Sequence, residues 1–207
     1  MPYEFVYKID NTAHVFKCTI PSIQCQAQKK NGEGRCGRTT AIGTPFCYNH
    51  LLSEKKLRIK PSNTPFAGKG LFAQVSRDPA DNTIVFKSGD TIIDYTGEII
   101  DLPTLNSRYD LDENHQFTAP YAYELKAHKS YMDAACNRGV GSSVNHKAFS
   151  KANAKFVKTK TNGVVSGIKI VARKDIRNNT EIFASYGQTY RMKNRTTHRT
   201  TYKRNRR

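Results

Sequence analysis

The chain has 207 residues, 37% of them hydrophobic, with 11 Tyr, 10 Phe and no Trp. That length and content suit one domain of ordinary size plus a small accessory module, and exclude a wholly disordered chain. Its 34 Lys and Arg against 17 Asp and Glu leave a net charge of +17, which points to a polyanionic partner and says nothing of the fold. No apolar run approaches the roughly 18 residues that a membrane-spanning helix needs, and the opening MPYEFVYKIDNTAHVF lacks the basic-then-apolar order of a secretory signal. The expectation is an intracellular protein without membrane contact.

The first segment, residues 1–52, holds four of the five cysteines. An odd, crowded set of this kind favours metal ligation over disulfides, as in a reducing compartment. Residues 18–50 read CTIPSIQCQAQKKNGEGRCGRTTAIGTPFCYNH, with Cys18, Cys25, Cys36, Cys47 and His50 as candidate ligands. The two-residue gap of Cys47-Tyr48-Asn49-His50 lets thiolate and imidazole reach one ion, and the Gly-rich NGEG and IGTP segments turn Cys25 and Cys36 towards it. The chosen set is Cys25, Cys36, Cys47 and His50, a closed structural zinc site. Cys18, in the apolar run VFKCTI, reads as a strand cysteine, although it could replace one of the four. The spacing also resembles small viral and bacterial modules, through Cys25-Gln26-Ala27, Lys29-Lys30, Gly34-Arg35-Cys36 and the run from Gly43 to His50.

After this module, LLSEKKLRI reads as a short helix or linker. Residues 83–100, TIVFKSGDTIIDYTGEII, alternate apolar and polar residues around Ser88-Gly89-Asp90 and Thr96-Gly97, giving two short strands with turns. A third strand lies in GIKIVARKDI. No helical period runs far enough for a βαβ unit, so the expected fold is mostly β with short helices and 3-10 turns. Residues 191–207, RMKNRTTHRTTYKRNRR, have no acidic residue and read as a disordered basic tail, either solubilising or in contact with DNA or a nucleosome.

Four blocks in order carry a resemblance: Ala67-Gly68-Lys69-Gly70-Leu71-Phe72-Ala73; Gly89-Asp90-Thr91-Ile92-Ile93-Asp94-Tyr95-Thr96-Gly97-Glu98; Asn145-His146 with Asn153-Ala154; and Ala172-Arg173-Lys174-Asp175-Ile176 leading to Glu181-Ile182-Phe183-Ala184-Ser185-Tyr186-Gly187. Together they resemble the SET domain, whose members are mostly lysine methyltransferases that use S-adenosylmethionine. The resemblance implies a β-clip-like, pseudoknotted core over residues 53–190. It implies that Asn145 and the backbone around His146 hold the cofactor, with Lys69, Gly70 and Leu71 close by, and that Tyr186 stands beside the transferring methyl. Departures are also visible. The family's N-H-S-C-x-P-N is replaced by a run two residues longer and without proline, which leaves Asn153 less secure than Asn145 and His146. No cysteine cluster follows Tyr186, so Tyr190, Met192 and the start of the tail are the material available to cover the cofactor.

Methyl transfer to a lysine amine needs alignment and a neutral amine more than acid/base machinery, and an aromatic channel suits a lysine stem and a methylated ammonium. Tyr186 supplies the orienting hydroxyl in this reading, with Tyr95, Tyr123, Phe156 and Ala184 as channel walls. Glu98 and Glu181 have structural hydrogen bonding as their default role. The function that follows is methylation of a basic nuclear protein, a histone foremost, at chromatin. The alternative is a catalytically inactive SET scaffold that binds DNA or chromatin, which the net charge supports. A cationic enzyme repels a cationic tail unless DNA or an acidic groove, around Asp101, Asp110, Asp112 and Glu113, offsets it. The compact domain and the zinc module suggest a large DNA virus as source.

Overall fold

A computed structural model describes residues 3–7, 16–109 except 42, 66 and 79, and 119–187 except 120 and 128. The basic tail, Tyr190, Met192, Asp110, Asp112 and Glu113 lie outside the described residues. The chain opens with a hairpin of β1 (Tyr3–Tyr7) and β2 (Phe16–Ile20), in which Cys18 is opposite Phe5. Short antiparallel strands β3 (Ser22–Gln24) and β4 (Thr39–Ala41) follow, and then helix α1 (Tyr48–Lys55). Lys56 adopts a left-handed backbone (φ 55°) and returns its N–H to the Leu51 and Leu52 carbonyls, which ends the helix after two turns. LLSEKKLRI is therefore helix and then strand: β5 (Leu57–Pro61) pairs antiparallel with β6 (Lys69–Ala73).

Residues 83–100 form three strands rather than two, β7 (Ile84–Phe86), β8 (Thr91–Tyr95) and β9 (Glu98–Asp101). The Thr96-Gly97 pair is a crossing between sheets and not a hairpin turn, since β8 pairs with a later strand and β9 with another. The reason for glycine there is space: a Cβ on Gly97 would lie 2.5 Å from the Asp133 carbonyl oxygen. Helix α2 (Leu102–Arg108) starts on Asp101, whose carboxylate accepts from the Thr104 N–H at 2.9 Å. Asp101 is thus a helix cap before it is part of any acidic groove.

Strands β10 (Ala122–Lys126) and β11 (Ser130–Asp133) complete a three-stranded sheet with β9, in the order β10-β11-β9. A 3-10 turn (Val140–Ser143) leads into β12 (Asn145–His146). The long hairpin of β13 (Ala154–Thr161) and β14 (Val164–Ala172) closes on Asn162-Gly163, both with positive φ, the two-residue turn that matches strand twist. After β15 (Ile176–Arg177), which pairs with β7, the last strand β16 (Phe183–Ala184) slots between β12 and β13, parallel to both. The resulting five-stranded sheet runs β12-β16-β13-β14-β8.

The main core gathers Leu57, Leu71, Ile170, Ile176 and Ile182 with neighbours, all removed from water. A second cluster joins Ile20 of β2 to Ile100, Leu105, Tyr109 and Tyr131, so the N-terminal hairpin rests on α2. Leu51 of α1 belongs to the main core and Phe46 packs against both that core and the cysteine cluster. A boundary at residue 52 therefore cuts through a helix that the larger domain shares. No described helix is long and apolar enough to cross a membrane.

Candidate functional site

The insertion of β16 beside β12 is what assembles the site, because it sets Asn145 opposite Phe183 and His146 opposite Ala184. Asn153 holds this arrangement from the other side. Its side chain donates to the Glu181 carbonyl at 2.8 Å and accepts from the Phe183 N–H at 2.7 Å, and it is buried. The longer loop between His146 and Asn153 thus leaves Asn153 a backbone clamp on the C-terminal strand.

Glu181, 2% exposed, is the polar hub beneath Asn145. Its carboxylate accepts from the Ser62 hydroxyl and the Asn63 N–H, both at 2.7 Å, and from the Asn145 amide at 3.0 Å. Asn145 also donates to the Lys69 carbonyl at 3.1 Å, which ties β6 to β12. The glycine at position 70 follows from this hub, since a Cβ there would stand 2.1 Å from the Glu181 carboxylate and 3.1 Å from the Asn145 amide. Leu71, next along, is fully buried, and its carbonyl accepts from the Ile182 N–H. Its side chain serves the core.

On the channel side the aromatic candidates come together. Phe156 is the centre: Tyr95 meets it edge-on at 5.6 Å between ring centroids, Tyr123 lies at 5.3 Å and Tyr186 at 6.0 Å. Tyr186 also meets His146 edge-on at 5.3 Å between ring centroids, and Ala184 is buried. The Tyr186 hydroxyl donates to the Val144 carbonyl, and its N–H donates to His146 Nδ1 at 3.1 Å. Burial lowers the His146 pKa and raises that of Tyr123, so both rings favour their neutral forms. The Tyr95 hydroxyl donates to the Tyr121 carbonyl. Sequence reasoning missed Val144, whose backbone oxygen anchors Tyr186. No side-chain signal could mark it.

Glu98 lies apart from this cluster, paired with Arg108 at 2.6 Å. The same guanidinium reaches the fully buried Asp133 at 3.0 Å, and Tyr109 donates its hydroxyl to Asp133. Both glutamates are therefore hydrogen-bonded within the fold.

In the N-terminal module, one ligand atom from each of Cys25, Cys36, Cys47 and His50 lies within 4.8 Å of the others, a set that can hold one metal ion. The Cys25 and Cys47 sulfurs are each 3.4 Å from His50 Nδ1. Burial pushes the Cys47 thiol up, but the His50 and Asn49 amides at the start of α1 outweigh it and bring it to about 6. Burial raises the Cys25 thiol. Cys136 is disulfide-bonded, so metal ligation does not account for all five cysteines. A tight seam joins module and domain. A Cβ on Gly43 would be 2.7 Å from Asn137 Oδ1 and 3.1 Å from the Gly139 nitrogen, and the Thr44 hydroxyl donates to the Arg138 carbonyl at 3.3 Å.

Comparison with known proteins agrees with this geometry. The SET domain family matches residues 68–187, more than half of the chain, and the chain belongs to that family. Among solved structures it is similar to a Chaetomium thermophilum polycomb repressive complex 2 (26% identity, 66% of this chain, TM-score 0.52). It is similar also to that complex bound to H3K27me3 and H3K27M (26% identity, 69% of this chain, TM-score 0.51) and to an autoinhibited form bound to S-adenosylmethionine (26% identity, 66% of this chain, TM-score 0.50). The similarity spans 16% of each of those chains. No curated protein matches the chain.

Proposed function

We propose that the chain is an S-adenosylmethionine-dependent protein-lysine N-methyltransferase that acts on a basic nuclear protein, a histone foremost. The observation that carries this is the placing of Tyr186 between Phe156, which Tyr95 and Tyr123 flank, and His146, the neighbour of Asn145, within a SET fold. The histone-bound neighbour supports the substrate class.

The residues present fit the cofactor. Asn145 commits its amide N–H groups to Lys69 and Glu181, which turns its side-chain oxygen into the available acceptor for a ligand ammonium. His146 and Tyr186 are half-buried beside it. When bound, S-adenosylmethionine supplies a methyl on a positively charged sulfur. The protein's own task is to align a lysine amine with that carbon and to admit it neutral. A free lysine titrates near 10.4, and a partly buried channel of rings disfavours the ammonium form. The Tyr186 ring is fixed through Val144, so its oxygen can accept an amine N–H and orient the nitrogen lone pair. The Glu98 and Glu181 carboxylates are bonded elsewhere and His146 Nδ1 is already an acceptor, so the amine loses its proton to solvent before attack.

The three thiols and one imidazole of Cys25, Cys36, Cys47 and His50 are the donor set of a closed structural zinc site. The tail beyond Lys193 is assigned to DNA contact, and its truncation should flatten the salt dependence of DNA binding while peptide methylation stays constant.

The test is Tyr186→Phe, assayed with recombinant histones and nuclear extract by mass spectrometry. Cofactor affinity should hold by calorimetry while methyl transfer falls by about 100-fold. Undiminished turnover would remove Tyr186 from the reaction. Methylation confined to non-histone proteins would keep the enzyme and discard the histone.

A further inference from the structure

Beside the Glu181 hub, on the face that carries Phe183, lies an open basin of about 370 Å³. Lys147, Lys151, Lys174 and Arg177 line it. Its two acidic members, the exposed Asp175 and the buried Glu181, accept hydrogen bonds from neutral groups. The Asp175 carboxylate accepts from the Ser88 N–H at 2.9 Å, and that of Glu181 accepts from Ser62, Asn63 and Asn145. Among the described residues the ion pairs are those of Arg108, so none of the four cations is neutralised by a carboxylate. The Lys147 ammonium sits 3.7 Å from the Phe183 ring centre, and Arg177 donates to the Asn82 carbonyl at 2.7 Å, which holds both at the rim.

The loop that edges this basin, residues 147–152, is where the chain departs from the SET pattern. It carries Phe149, 64% exposed. The Arg173 guanidinium covers one face of that ring, 3.6 Å from its centre, and donates to the Phe149 and Ala152 carbonyls. Two further bonds, from the Lys151 and Ala152 N–H groups to the Ala148 carbonyl at 2.8 and 2.9 Å, close the loop into a turn. Phe149 thus presents an exposed ring, pinned by an arginine, at the edge of a basin with four cations against two carboxylates. Rings on a basic groove are how unpaired bases are held: the cations track phosphates while a ring stacks with a base.

We infer that this surface binds single-stranded nucleic acid, with phosphates over Lys151, Lys174 and Arg177 and a base on the open face of Phe149. The inference does not depend on methyltransferase activity. It also differs from the tail assignment, because the rings of the tail, His198 and Tyr202, are left in place by a change at Phe149, so a selective loss of single-strand binding on that change belongs to the basin.

The experiment uses the full chain and fluorescence anisotropy with a labelled thymine oligonucleotide, and separately a duplex of equal length, over a series of salt concentrations. The triple variant Lys151→Gln, Lys174→Gln, Arg177→Gln removes three exposed cations. It should make the salt slope for the single strand shallower by about 2, at about 0.7 per phosphate contact. Phe149→Ala should weaken single-strand binding about tenfold and duplex binding little, with the thermal midpoint unchanged. A triple variant with the parent slope overturns the basin. A Phe149→Ala protein that binds the single strand as the parent does, or loses strand and duplex equally, overturns the stacking platform.

Discussion

Between Cys25 and His50 the buried apolar material among the described residues is three cysteines and Ala27, with Phe46 at the edge. From Leu51 to Ala184 the chain instead buries a continuous set of leucines, isoleucines, valines and alanines drawn from most of its strands. At about 25 cal/mol per Å² of apolar surface, the second region is held by many interchangeable contributions, whereas the first buries little apolar surface and, in the proposed zinc reading, relies on four ligand atoms meeting one ion. The lesson is one of failure modes. Single losses should be absorbed in the domain and be decisive in the module. The Gly43 seam qualifies this, since it presses the module onto residues 137–139, immediately before the turn that delivers Val144 and Asn145.

The sharpest way to break the contrast is Cys47→Ser or His50→Ala. Structural zinc in small modules contributes about 10–16 kcal/mol of apparent binding free energy, so either change should release the ion and unfold residues 20–46. The β13–β14 hairpin should keep its amide protection. Elemental analysis together with hydrogen exchange checks both halves, and simultaneous loss of protection in both regions would show that the seam makes them one cooperative unit.

A smaller loss is expected from Asn153→Ala, which strands the Glu181 carbonyl and the Phe183 N–H in a buried place, at about 2–4 kcal/mol. Chemical denaturation measures it. A change within experimental error would mean that β16 is held by its sheet partners alone. Gly70→Ala should cost about 1–3 kcal/mol by overpacking against Glu181. Gly70→Ala combined with Glu181→Ala should recover part of that loss if the carboxylate is the obstacle, and none of it if backbone freedom is what matters.

The smallest effect is a pH dependence. Burial lowers the His146 pKa from 6.5, so the unfolded chain takes up a proton that the folded site resists. The His146 contribution is complete above about 6.5 and is lost as pH falls from there towards the depressed folded value. Protonation also removes the Nδ1 acceptor for the Tyr186 N–H. A His146→Asn protein should show a flatter fall of thermal midpoint through that window. An identical fall would place the titration elsewhere.

Legibility in the sequence followed the range of the interaction. The Cys47-Tyr48-Asn49-His50 spacing, the Asn145-His146 pair and the aromatic positions were readable because each belongs to a short run with its own chemistry. The β13 strand is less legible, because KFVKTKT has few apolar residues and the Asn162-Gly163 turn is its main signal. Residues 83–100 yielded one strand too few because the Thr96-Gly97 crossing depends on the Asp133 backbone, far along the chain. The reason for Gly70 was likewise hidden in position 181, and closeness to a cofactor was the expectation in its place. Basin and Phe149 were invisible as a unit, since their cations come from separate segments around 147–151 and 174–177.

The late arrival of β16 also sets a timetable for biosynthesis. Leu71 receives the Ile182 N–H and Ala73 donates to Thr180, while Asn145 and His146 wait for Phe183 and Ala184. A nascent chain that has emerged only as far as residue 180 contains Asn145, His146 and three of the four channel rings, but no strand to align them. Pairings this distant in sequence are slow to close. The proposed site is therefore aligned in one late step, when Phe183 and Ala184 become available to pair with Asn145 and His146, and not when the individual site residues are synthesised.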